Sequence, residues 1–113
     1  MFKRSDRVAK LIQVEVSNML LFGELKDPRI QGAKIVNVNV SDDLSKAKIF
    51  FSVEKGINSE DTLTGFRNAK GFIRKRLAEI LYMKKIPNLF FIYDTSDDKI
   101  SRIEEIIRKI HHE

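Results

Sequence analysis

Residues 67–93, RNAKGFIRKRLAEILYMKKIPNLFFIY, contain the two patterns that decide the fold. The first is an amphipathic helix, in which apolar residues recur at helical spacing. These residues are Phe72, Ile73, Leu77, Ile80 and Leu81. Pro87 forbids further helix, and the consecutive apolar residues 89–93 predict a short strand that is covered on both faces. A helix followed at once by a buried strand indicates a domain that packs helices against a sheet.

Gly71 is the residue of this pattern that favours a helix least, since glycine inside a helix costs about 1 kcal/mol relative to alanine. The sequence therefore predicts two helices, one from about Glu60 to Ala69 and one from Gly71 to about Met83. A bend at Ala69-Lys70-Gly71 would separate them. Gly71 has a second possible role, which is to let two helices pack closely, and both roles can coexist.

The rest of the chain completes a single domain of residues 1–113. A helix is predicted over residues 5–22 and ends at Gly23; its apolar stripe is Val8, Leu11, Ile12, Val16, Met19 and Leu20. Alternation at Val36, Val38 and Val40, and again over residues 47–53, predicts an antiparallel hairpin. With a last helix over residues 95–112, the predicted class is α+β, with a three-stranded sheet packed by helices in the order αββααβ plus the C-terminal helix.

Positive charge is concentrated in one segment. Residues 67–85 carry a balance of +6, whereas the whole chain carries +5. Seven basic residues and one carboxylate, Glu79, produce this balance. The seven are Arg67, Lys70, Arg74, Lys75, Arg76, Lys84 and Lys85. Such a concentration is typical of a surface that binds a polyanion, although a solvated helix face can also carry a run of charges.

Four more cations could extend this surface. Arg4, Arg7 and Lys10 stand off the apolar stripe of the first helix. Arg29 follows Pro28 and is either a turn cation or a contact to an RNA backbone.

Several classes of function are excluded by residues that the chain lacks. It has no cysteine, and its two histidines, His111 and His112, are adjacent, which supports neither a catalytic triad nor a metal site. No glycine-rich phosphate loop occurs, and no apolar run reaches transmembrane length. The sequence therefore predicts a soluble cytoplasmic protein that is not an enzyme and has no cofactor, metal or small-molecule substrate.

Four motifs, in this order along the chain, resemble those of bacterial ribosome-binding factor A. They are DPRI at 27–30, VSDDLSKAK at 40–48, GFIRKRL at 71–77 and IPNLFF at 86–91. The order of helices and strands is also similar to the type II KH fold. The resemblance runs through nearly the whole chain.

This resemblance implies a small cytoplasmic assembly factor that acts without catalysis. It would bind the small (30S) ribosomal subunit and help its 16S ribosomal RNA to mature, notably in the cold. The family has an Ala-x-Gly kink where ordinary KH domains have Gly-x-x-Gly, and Ala69-Lys70-Gly71 matches that kink. Asn68 stands where the first glycine of the KH loop would fall, so docking onto structured RNA is expected rather than a clamp on single-stranded nucleotides.

The resulting hypothesis is a monomer whose basic segment holds rRNA phosphates and whose Gly71 bend sets the angle between two helices. The alternative is a protein–protein interaction module that uses the same surface for an acidic partner. Most aromatic residues are predicted to lie in the core, namely Phe51, Phe66, Phe72, Phe91 and Tyr93. Phe50 would be covered by the C-terminal helix, or would stack on a base.

Overall fold

A computed structural model describes residues 2–95 of the chain. Its elements are α1 (Arg4–Leu21), a short 3₁₀ turn (Pro28–Ile30), β1 (Ala33–Val40), β2 (Lys46–Val53), α2 (Ser59–Leu81) and β3 (Asn88–Tyr93). The predicted α+β class with a three-stranded sheet is confirmed. The predicted C-terminal helix lies outside the described residues from position 96 onward.

Helix α1 ends as the sequence predicted. The Glu24 N–H bonds to the Met19 carbonyl at 3.0 Å, and the Gly23 N–H bonds to the Leu20 carbonyl at 3.4 Å. This pair of bonds is a Schellman motif, which requires a left-handed residue after the helix. Gly23, with φ of 72°, supplies that conformation.

The sheet has the order β1-β2-β3 and is mixed. Strands β1 and β2 are antiparallel, as predicted, whereas β3 runs parallel to β2. A bulge between Ile35 and Asn37 changes the register of β1. As a result Ile35, rather than Val36, joins Val38 and Val40 on the buried face. Ile35 and Val36 are adjacent and both apolar, so alternation alone could not place the bulge.

The core lies between one face of the sheet and the two helices. Phe66 of α2 packs between two strands, with ring centroids 5.1 Å from Phe51 and 4.8 Å from Phe91. On the other face Phe90 is 39% exposed, so the prediction that β3 is covered on both faces is wrong for this residue. Phe90 pairs in register with exposed Lys48 on that outer face.

Helix α2 runs through Gly71 without interruption, so the prediction of two separate helices is wrong. Three of its apolar side chains, Phe66, Ile73 and Leu77, are fully buried. Each contributes about 1.5–3 kcal/mol, which outweighs the roughly 1 kcal/mol cost of one glycine. Ala69 lies partly buried against the core within the same helix.

Two further residues that were predicted to be buried, both on helices, are exposed. Phe72 is 47% exposed and Leu11 is 49% exposed. At about 100° per residue, each lies about 100° from the centre of the buried side of its helix. Each is followed by a fully buried isoleucine, and the sequence pattern placed both members of each pair in the core.

Candidate nucleic-acid interface

One side of α2 carries four of the predicted cations. At about 100° per residue they fall within an arc of about 140°, which also contains Gly71. The four are Arg67, Lys70, Arg74 and Lys75. Arg67 and Lys75 are exposed, and the other two are half-buried. The helix therefore presents a positively charged side to solvent, next to the side that packs in the core.

A shallow concavity lies where this side of α2 meets the loop of residues 82–87. It is lined by Gly71, Arg74, Lys75, Ala78, Met83, Lys84, Lys85 and Ile86. Four of these residues are cations, and no described residue of the lining is a carboxylate. Like charges around a concave surface with apolar walls focus a positive potential, so this surface attracts anions.

Arg74 attaches the loop to the helix. Its Nη2 donates a hydrogen bond to the Ile86 carbonyl oxygen at 3.1 Å, and its Nε is buried without an acceptor among the described residues. A guanidinium stays charged in proteins, so Arg74 adds positive charge while its bond positions Lys84 and Lys85. The sequence predicted the charge but not this structural role, because no local pattern shows where the loop lies.

Gly71 is open to solvent rather than packed. Within residues 2–95 a Cβ atom built on it would meet nothing within 4 Å, so the interpretation of Gly71 as a close-packing glycine is wrong for the described helices. Gly65 has that role instead. A Cβ atom at Gly65 would lie 3.1 Å from Ile30 Cγ2 and 3.2 Å from Arg29 Cβ, where the 3₁₀ turn crosses the first half of α2.

A groove beside β3 adds a cation that is not among those predicted from the sequence. Lys48, Arg67 and Lys70 line it together with residues 89–92. The Lys70 Nζ lies 5.4 Å from the centroid of the Phe90 ring, a cation–π contact. Alternation along β2 places Lys48 on the polar face, and that is the signal from which it could have been found.

Arg4 is brought to the same loop from the start of α1. It lines a second concavity with Lys84 and Lys85, and the remaining lining residues are Asp43, Leu44, Ser45, Tyr82, Met83 and Ile86. Lys10 instead lines a separate groove beside β1, and Arg7 is exposed on α1. Of the three predicted α1 cations, only Arg4 lines a concavity of the loop.

Asp43 is the carboxylate of this second concavity. It accepts hydrogen bonds from the Ser45 and Ser41 hydroxyls, both at 2.7 Å, and from the Ser45 N–H at 3.0 Å. These bonds lower the pKa of Asp43 to about 2, so the group is ionised near neutral pH.

Arg76 lies about 180° around α2 from Arg67. Its guanidinium contacts Glu24 at 3.2 Å and Glu79 at 3.3 Å, and the charge of Glu24 is the main cause of its raised pKa. A positive charge that is already offset by two carboxylates, on the far side of the helix, adds little to either concavity.

Arg29 is likewise paired. Its Nη2 lies 2.6 Å from Asp27 Oδ2, and hydrogen bonds from the Arg29 side chain are the main cause that lowers the pKa of Asp27 to about 2. This pairing favours the interpretation of Arg29 as a turn cation.

Within residues 2–95, no group of three or more His, Cys, Asp or Glu side chains is placed to hold a metal ion. None of the described helices combines the length and apolarity needed to cross a membrane.

Comparison with solved structures identifies the same fold. The crystal structure of ribosome-binding factor A from Thermus thermophilus superposes with a TM-score of 0.71 at 19% identity, over 79% of this chain and 93% of that one. A homology model of the Thermus thermophilus factor, fitted into the cryo-EM map of a 30S–RbfA complex, gives a TM-score of 0.57 at 22% identity, over 75% of this chain and 93% of that one.

Comparison of sequences covers almost the full length. A ribosome-binding factor A from Syntrophus aciditrophicus (strain SB) is 45% identical over 99% of this chain and 91% of that protein. The protein of that name from Geotalea uraniireducens (strain Rf4) is 42% identical over 97% of this chain and 90% of that protein. The family model described as ribosome-binding factor A matches residues 4–107, and the chain therefore belongs to the ribosome-binding factor A family.

Proposed function

We propose that this chain binds the small (30S) ribosomal subunit through RNA phosphates and assists maturation of its 16S rRNA without catalysing a reaction. The observation that carries the proposal is the concavity at Gly71, where Arg74, Lys75, Lys84 and Lys85 surround an open stretch of helix. Membership of the ribosome-binding factor A family supports it, and a similarly folded Thermus factor has been fitted into a 30S complex.

The proposed contact surface is continuous. Lys84 and Lys85 line both concavities of the loop, and Lys70, which lines the groove beside β3, immediately precedes Gly71 in α2. Phosphate contacts position a protein on RNA but carry little sequence information, so specificity would come from the shape of the RNA. Arg76 and Arg29, each paired with carboxylates, would contribute least.

On this proposal the protein acts in the cytoplasm as a monomer, and its partner is the 16S rRNA within the 30S subunit or its precursor. Its effect is greatest in the cold, because structural rearrangements of rRNA cross fixed barriers more slowly as temperature falls.

The test is binding to isolated 30S subunits across a series of salt concentrations. If about six phosphates are neutralised, the logarithm of the binding constant should fall with the logarithm of salt concentration at a slope of about −4 to −5. A slope near zero would contradict a phosphate-based interface.

A matched pair of double variants locates the surface. Lys75→Glu with Lys84→Glu reverses two charges at the Gly71 concavity, and it should abolish binding at moderate salt. Lys34→Glu with Lys55→Glu reverses the same number of charges at the opposite end of the sheet, since Lys34 pairs with Ser52 near the end of β2. An equal loss of 30S binding in both double variants would refute the site. Binding of the wild-type protein to an acidic protein, without affinity for RNA, would favour a protein–protein interaction module.

A further inference from the structure

The concavity lined by Arg4, Lys84 and Lys85 has an unusual backbone. Among the described residues, two that are not glycine have positive φ angles: Leu44 at 62° and Tyr82 at 52°. Both line this concavity. Left-handed backbone is strained for residues with a Cβ atom, and such strain is concentrated at functional sites.

Leu44 is held in its conformation by a turn and by packing, whereas Tyr82 takes the left-handed conformation only as the residue that ends α2. The Leu44 N–H closes the β1–β2 turn by bonding to the Ser41 carbonyl at 2.8 Å, and its side chain packs on the core. Tyr82 follows the last residue of α2, a position where glycine is usual, and the residue is 92% exposed. The strain at Tyr82 is not compensated by packing within the described protein, so the ring is available to a partner.

The chemistry around Tyr82 matches one nucleotide. The concavity has a volume of about 460 Å³, within the range of roughly 300–1,000 Å³ typical of sites for small organic molecules. Three cations against the ionised Asp43 leave a surplus of positive charge for a phosphate. An exposed aromatic ring beside cations is the arrangement with which proteins stack unpaired bases.

We propose that this concavity holds a single unstacked ribonucleotide, with its base on the Tyr82 ring and its phosphate between Arg4, Lys84 and Lys85. The proposal rests on the proposed function, because the nucleotide would belong to the bound rRNA. An acidic protein partner is less well matched, since Lys84 and Lys85 also line the Gly71 concavity and so continue the proposed phosphate surface.

Tyrosine fluorescence offers a direct test, because the chain has two tyrosines and no tryptophan. In a Tyr93→Phe variant Tyr82 is the remaining tyrosine, and in a Tyr82→Phe variant Tyr93 is. Titration with a short single-stranded oligoribonucleotide should quench the emission of Tyr82 and leave that of Tyr93 unchanged. Binding seen by anisotropy of a labelled oligonucleotide, with no quenching of Tyr82, would overturn the proposal.

Affinity for 30S subunits separates stacking from other contacts. Tyr82→Ala and Tyr82→Leu should each weaken binding by about 5- to 150-fold, the range expected for one lost base–aromatic stack, and Tyr82→Phe should retain affinity. Tyr82→Gly should lose affinity to a similar extent although it relieves the strain and raises Tm by about 2–6 °C. A loss in that variant would therefore not reflect misfolding.

Failure of this inference is distinguishable from failure of the proposed function. If Tyr82→Ala binds like the wild type while Lys75→Glu with Lys84→Glu does not, the nucleotide site is refuted and the phosphate surface stands. Affinity retained by Tyr82→Leu but lost by Tyr82→Ala would identify an apolar contact and refute stacking. If the charge variants also bind normally, the proposed function itself fails.

Discussion

Replacing each of two interior glycines of α2 with alanine separates helix propensity from packing. Gly65 and Gly71 lie in the same helix, so the propensity gain of about 1 kcal/mol is common to both substitutions. At Gly71 the new methyl group meets no described residue within 4 Å, so Gly71→Ala should stabilise the domain by about that amount.

At Gly65 the new methyl group meets its neighbours too closely. It would lie 3.1 Å from Ile30 Cγ2 and 3.2 Å from Arg29 Cβ, both below ordinary van der Waals distance. Overpacking of this kind costs about 1–3 kcal/mol, which cancels or exceeds the propensity gain. The two variants should therefore differ by about 1–3 kcal/mol in the free energy of unfolding, with Gly65→Ala the less stable.

Urea denaturation measures this difference. With a slope of about 2 kcal/mol per molar urea, the midpoints of the two variants should be separated by about 0.5–1.5 M, with unchanged slopes. Equal midpoints would show that the 3₁₀ turn does not pack against α2 at Gly65. A destabilised Gly71→Ala variant would show that the backbone at Gly71 is not an open helix.

Three other outcomes follow from the site. Arg74→Ala should lower the free energy of unfolding by about 1–2 kcal/mol because its bond to the loop carbonyl is lost, whereas Lys75→Ala should stay within about 0.5 kcal/mol; equal urea midpoints would refute this. Lys84→Gln should reduce the salt slope of 30S binding by about 1, while Arg76→Gln should leave the slope unchanged. A smaller slope for Arg76→Gln and an unchanged slope for Lys84→Gln would refute the placement of Arg76 outside the RNA-binding surface. The pKa of Asp43 in the folded protein lies near 2, below its ordinary value of 3.8. The contribution of Asp43 to stability is therefore present above pH 4 and is lost as the pH falls toward 2. Over this range the unfolding midpoints of the wild type and of Asp43→Asn should converge.

Much of the fold could be predicted because hydrophobic periodicity is a local signal. The limits of α1, its stop at Gly23 and the antiparallel hairpin all follow from spacing and turn residues. The continuity of α2 could not be predicted in this way. The burial of Phe66 and Ile73 outweighs the helix-propensity cost of Gly71, and it depends on contacts with other parts of the chain. The bulge at Val36 was hidden because Val36 and the preceding Ile35 are both apolar, so the alternation does not show which of them faces the core.

The basic segment was located from the sequence, but its orientation was not. Counting charge along the chain grouped Arg76 with its neighbours, although helical geometry at about 100° per residue places it opposite Arg67. Lys48 joins the surface through tertiary packing, which no count within one segment can detect, whereas Arg4 was predicted to extend the surface from its place off the apolar stripe of the first helix. Tyr82 gave no sequence signal, since only its backbone conformation and exposure distinguish it.

The bulge in β1 has a consequence for behaviour at high concentration. In the described part of the sheet β1 lies at an edge, and a regular edge strand is a template on which another chain can add hydrogen bonds. The register change between Ile35 and Asn37 interrupts that template, and the exposed Lys34 beside it repels a like-charged copy. At high concentration, copies of the protein would therefore resist aggregation through pairing of their β1 edges. The cationic surface of α2 and the groove beside β3 would remain accessible to a binding partner.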